Sequence, residues 1–258
     1  MIRPVLNRVP NPVLRRAAVV AATAAALVCT ACSGSTGGAA QPVGSPAAGS
    51  SSAAAPKAAP LEAAKAGQAL ADAAKKASAV HVKGAMTESG GAVKLDLQLN
   101  KDSASGSVEK DGITVPVLRS GEKYYFRFSS SLVKEAGIPE GSEVAAQVTD
   151  KWVSSESQIG QGIGAAFKSF LDYRGFIDSM TGELSVSTFS GGEPADLAGT
   201  QVLRFTSTDG VAYLAASEPH YLLRIEAPQH GTIDFSGWDK PVPVNAPAPA
   251  EIYSGPGA

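Results

Sequence analysis

The chain has 258 residues, with 22 Lys and Arg against 24 Asp and Glu, three histidines and a formal charge of −2. No basic stripe occurs and aromatics are not interleaved with Lys or Arg, which excludes nucleic acid as an expected partner. Both cysteines, Cys29 and Cys32, lie near the N-terminus at the end of an apolar run, so what happens to them decides where the chain resides.

Residues 1–16 carry Arg3, Arg8, Arg15 and Arg16 and no acid, and residues 17–28 are mostly Ala and Val. A basic head, a short apolar segment and small residues at its end predict an export signal, and the run is too short to span a bilayer. Thr30 and Ala31 supply the small residues before Cys32, whereas Leu27 and Val28 before Cys29 are bulky. The segment Val28-Cys-Thr-Ala-Cys32 resembles a bacterial lipobox, with Cys29 where Leu is commoner. That resemblance implies a diacylglycerol on the Cys32 thiol, cleavage before Cys32, and acylation of the new amine. The alternatives are a secreted chain in which Cys32 is spacer, and a redox pair. The latter needs a helix N-terminus in a folded domain to lower a thiol pKa. Arg15-Arg16 leaves general and twin-arginine export both open. Four of the 22 bases and none of the 24 acids precede Cys32, so the processed chain has 18 against 24, a net charge of −6. Such a body is not drawn to anionic lipid, and the acyl chains on Cys32 are its expected tether to the extracytoplasmic side of the cell membrane.

The expected organisation is a signal peptide over 1–31, a Ser/Gly/Ala/Pro tether over 32–60, one domain over 61–245 and a Pro-rich tail over 246–258. Lys57 is the only charge in 33–60, and that composition cannot bury enough surface to offset chain entropy. A helix is predicted over 61–78 from Pro60 at its start, abundant Ala, Glu62 early and Lys75-Lys76 late. From Ala79 the period is two: strands are predicted over 80–86, 93–100, 105–110, 113–117 and 124–128, with turns at 100–102, Asp111-Gly112 and Ser120-Gly121. A short helix over 131–136 and a brief strand over 151–154 follow. Ile159, Ile163, Phe167, Phe170, Leu171, Ile177 and Met180 then fall at helical spacing, interrupted by glycines. Strands resume over 184–189, 200–206, 211–216, 221–226 and 232–235. About ten consecutive strands with tight turns give an α+β domain built on one antiparallel sheet, which must curl strongly. Its few helices are rich in Ala and Gly and cannot fill a deep concave face at native density.

Catalytic patterns are weak. His81, His220 and His230 are far apart and lack metal-ligand spacing. Ser120-x-x-Lys123 and Ser131-x-x-Lys134 match the first penicillin-binding motif but lack its companions Ser-Asp-Asn and Lys-Thr-Gly. The GQGIGA stretch at 160–165 is not led by a strong strand and misplaces its third glycine, and Asp172 and Asp178 are read as solvating a helix face. No enzyme activity, cofactor or metal is expected.

Several stretches taken in order, "AVHVKGAM", "EKYYFRF", "TDKWVSSES" and "HGTIDFSGWDKPVPVNAP", together with the lipobox, resemble the LppX/LprG group of actinobacterial lipoproteins, relatives of LolA-type carriers. The resemblance implies an antiparallel half-barrel with helices across its concave side around an apolar cavity. It also implies binding and carriage of acyl chains of lipids or glycolipids in the cell envelope, with no catalytic residues. The cavity residues expected on alternate strand positions are Val82, Met86, Leu95, Leu97, Leu99, Val115, Val117, Phe126 and Phe128 in the first half. Leu203, Phe205, Tyr213, Leu223 and Ile225 serve the second, and Phe167, Phe170 and Leu171 form a lid. The same alternation describes a filled core, so an anchored, non-catalytic scaffold that contacts other envelope proteins is the alternative.

Overall fold

Among the described residues the period-two segments assemble into one open antiparallel sheet of eleven strands, in keeping with the expected count of about ten. The computed structural model describes residues 61–88 and 91–258; the signal segment, the lipobox with Cys32 and the 32–60 stretch lie outside them. Helix α1 (Ala63–Lys76) leads into the meander β1 (Ala79–Glu88), β2 (Gly91–Asn100), β3 (Ser103–Lys110), β4 (Ile113–Ser120) and β5 (Lys123–Arg127). Two short helices, α2 (Ser130–Glu135) and α3 (Glu143–Val148), precede β6 (Trp152–Ser154). Helices α4 (Gln161–Leu171) and α5 (Tyr173–Val186) follow, and a second meander closes the domain: β7 (Ser190–Leu197), β8 (Thr200–Thr206), β9 (Val211–Ala215), β10 (Leu222–Ala227) and β11 (Gly231–Ser236).

The strand order β6-β5-β4-β3-β2-β1-β11-β10-β9-β8-β7 joins the two meanders through β1 and β11. Because β6 and β7 are opposite edges, the chain between them must cross the whole sheet. α4 and α5 make that crossing, α4 over β3–β5 and α5 against α1. This is why the helices cover one face. The turns follow local chemistry. Asp111 and Gly112, with φ of 52° and 79°, form the left-handed pair that a two-residue hairpin requires. Gly106 (φ 145°) pairs with Leu97 of β2, and a Cβ there would run into the Asp96 carbonyl. A glycine there lets neighbouring backbone approach and the sheet bend. The β6 edge is covered by the chain end, where Ile252 bridges Trp152 and the Tyr253 N–H donates to the Trp152 carbonyl at 2.8 Å.

Four elements differ from expectation. The stripe over 159–180 is two helices, because the Asp172 carboxylate accepts from the Gly175 N–H at 2.7 Å and starts a new helix. Arg119, on β4, pairs with the same carboxylate at 3.4 Å and pins the junction to the sheet. The strand expected over 184–189 is the end of α5 instead; Leu184 continues the helical spacing of Ile177 and Met180. Strand β7 takes the place of the one expected over 184–189; it contains Gly191, Gly192 and Pro194, which an edge strand tolerates. α3 is also additional, started by the Ser142 hydroxyl accepting from the Ala145 N–H at 3.1 Å.

Helices α1 and α5 approach closely because α1 carries Gly67, whose Cβ, were there one, would lie 2.6 Å from the Leu184 carbonyl oxygen. At the other end of the pair the Tyr173 hydroxyl donates to the Ala74 carbonyl at 2.9 Å, and burial pushes its pKa well up. Asp239 ties the chain after β11 to the start of β1. It accepts from the Tyr221 hydroxyl and from the Ser78 N–H and hydroxyl at 2.7 and 2.9 Å, and these bonds hold its carboxyl below the usual range.

Candidate binding cavity

One end of the helix-covered face is not filled. A cavity of about 830 Å³ opens between the last two turns of α5 and the adjoining ends of β1, β9, β10 and β11. Its floor comes from alternate strand positions, Ala212, Ile225 and Ile233, and its wall from Met180 and Leu184 of α5 with Phe189. Phe189 is fixed edge-to-face on Phe205 with ring centroids 6.2 Å apart. Floor and wall side chains are buried or half-buried. The polar lining is different. Thr87, Ser179, Glu183, Asp209, Gln229 and His230 are all exposed and ring the opening. The arrangement is an apolar interior with a polar mouth, carrying two carboxylates and, among the described residues, no Lys or Arg.

The physical origin of the opening is the local shortage of bulk. Ala212, Ala227, Gly210 and Gly231 supply little side-chain volume on these strand ends. α5 ends at Val186, so no further helix turn covers them. The volume falls within the range of about 300–1,000 Å³ usual for ligand pockets.

Of the residues expected to line a cavity, Met86 and Ile225 do so. Val82, Leu95, Leu97 and Leu99 are at most 3% exposed and form a packed core with Val115, Val117, Phe126 and Phe128. Leu203 and Phe205 belong to the same core, Phe205 as the backing of Phe189. Leu223, at the β10 irregularity, is half-buried against it. Phe167 and Phe170 sit half-buried on α4, Phe167 5.9 Å from Phe126, and Leu171 is fully buried at the helix junction. They cover the first meander, while α5 covers the cavity. Tyr213 is corrected to the sheet's other face. Its neighbours Ala212 and Leu214 point into the core, and its hydroxyl donates to Glu226 at 3.1 Å. Met180, Phe189 and Ile233 were not among the expected lining residues, although each lies in an apolar segment of the sequence.

The histidines are separate. His81 bonds Asp96 at 2.8 Å, His220 the Ala215 carbonyl at 2.9 Å, and His230 faces the Thr87 carbonyl at 3.4 Å. Among the described residues no cluster of three metal-ligating side chains occurs, and no helix is long and apolar enough to cross a membrane.

Fold and site define an open antiparallel half-barrel with helices across one face and an apolar cavity at one end. The solved structures similar to this chain include LprF from Mycobacterium bovis, 16% identical with a TM-score of 0.46, covering 73% of this chain and 99% of that one. They also include the Mycobacterium tuberculosis lipoprotein LppX, 14% identical with a TM-score of 0.44, covering 71% and 98%. LppX is one of the proteins for which the group that the sequence resembles is named. No family model and no curated protein matches the chain.

Proposed function

We propose that the chain is a lipoprotein of the cell envelope, anchored through acyl chains on Cys32, that takes up the acyl chain of a lipid or glycolipid in this cavity and carries it. The observation that supports this is the apolar interior beneath a polar mouth, the arrangement an amphipathic ligand needs. The volume of about 830 Å³ is of the size usual for pockets that hold a small organic ligand, which suits an acyl chain. Burying a methylene from water contributes about 0.8 kcal/mol. A bilayer offers the same gain, so exchange between bilayer and cavity is close to balanced, and a carrier must both load and release. Glu183 and Asp209 at the mouth disfavour an anionic head group. The role is non-catalytic.

A packed first meander favours the scaffold reading for that half of the domain, since its core residues leave no room for cargo. The test is transfer of a fluorescent diacyl lipid from phosphatidylcholine vesicles to the protein lacking residues 1–32. Saturable uptake supports carriage. Absence of uptake by a folded protein overturns it and leaves the scaffold.

A further inference from the structure

We infer that the cavity mouth is the surface by which the domain meets the bilayer that anchors it, so that lipid passes from the leaflet into the cavity without crossing water. This rests on the proposed function. The chain enters the domain at Leu61, and that point lies at the mouth end. A Cβ at Gly192, at the start of β7, would sit 3.3 Å from the Leu61 carbonyl oxygen, and Phe189 just before β7 lines the cavity. Six residues further on, Gly67 packs on the carbonyl of Leu184, another lining residue. At the far end of the helix pair, Tyr173 meets Ala74. α1 and α5 therefore run antiparallel, with the start of α1 beside the mouth.

Cys32 precedes Leu61 by 29 positions. A chain of that many positions reaches at most about 100 Å when fully extended. The opposite end of the sheet is farther from Leu61 by the length of a strand, about 30 Å for ten residues. Val186, 83% exposed, ends α5 two positions after Leu184 and adds an apolar contact on the mouth side. Carboxylates at the mouth suit a zwitterionic or uncharged surface and oppose an anionic one. Contact matters energetically, because every methylene drawn through water forgoes the gain of burial, and a mouth seated on the leaflet avoids that exposure.

The test uses the full, lipidated chain in phosphatidylcholine vesicles whose head groups carry a nitroxide quencher. Processing leaves no free thiol, so one introduced cysteine takes one fluorophore. Gln229→Cys reports the mouth, and Glu122→Cys reports the opposite end. The expected result is quenching several-fold stronger at position 229 than at 122, reduced when phosphatidylglycerol is added. Equal quenching, or stronger quenching at 122, would overturn the inference. Lipid uptake by the unlabelled chain is measured on the same vesicles. Uptake with equal quenching removes the orientation and leaves the carrier, whereas quenching at 229 without uptake removes the carrier and leaves the docking surface.

Discussion

Replacing Ile225 with Trp separates the cavity from the packed core. Ile225 is half-buried on β10 opposite Ala212, and both face the opening. An aromatic side chain covers about 150–250 Å². If the indole takes about 100 Å² from an acyl chain, the loss at about 25 cal/mol per Å² is about 2.5 kcal/mol, or about 60-fold in affinity. Leu97→Ala is the partner variant. Leu97 is fully buried between Val82 and the β3 backbone at Gly106, and is not itself a lining residue. It should cost about 2–5 kcal/mol of stability and leave affinity nearly unchanged. The assays are titration with a fluorescent monoacyl lipid and urea unfolding of the same preparations. Affinity that falls equally in both variants, or stays intact in a folded Ile225→Trp protein, would refute the assignment of the cavity as the binding site.

Cys32→Ser should move the chain from the membrane to the soluble fraction, read by fractionation; a variant still membrane-bound would remove the lipid anchor from the account. Gly67→Leu should separate α1 from α5, because even a Cβ lies 2.6 Å from the Leu184 carbonyl oxygen. A loss of about 1–3 kcal/mol is expected, seen as a lower urea midpoint. The lowered pKa of Asp239 implies stability that is present above the ordinary carboxylate value near 4 and lost as pH falls through the folded value. Asp239→Asn should flatten that acid limb. Tyr221, pushed up to about 12 by burial and by Asp239, contributes stability lost as pH rises from about 10 through that value. Tyr221→Phe should therefore lessen the alkaline loss, and an unchanged pH profile in either variant would contradict the linkage.

The meander was legible because Val93, Leu95, Leu97 and Leu99 alternate with polar residues, and Asp111-Gly112 admits few backbone shapes other than a hairpin turn. The sequence signal failed where tertiary pairing overrides local preference. β7 contains Gly191, Gly192, Pro194 and Asp196 and is a strand because β8 offers a partner along its length. Leu184 and Val186 alternate like a strand, yet Leu184 also continues the turn spacing of α5, and the capped helix takes the segment. Tyr213 carries an apolar ring with a polar tip, so its face could not be chosen from alternation alone; the smaller Ala212 is the one turned inward. The cavity itself was legible only as a shortage of helical bulk. Which end stays open depends on where α5 stops and on the small residues Ala212, Ala227 and Gly231, a coincidence of distant segments that spacing does not reveal.

The most direct measurement is native mass spectrometry with organic extraction, on the chain from Ser33 onward purified from cells, beside its Ile225→Trp and Leu97→Ala variants. The account predicts a lipid adduct of one or two acyl chains on the parent and on Leu97→Ala, and its loss from Ile225→Trp. A bare mass for the parent that stays bare after incubation with diacyl lipid would contradict it.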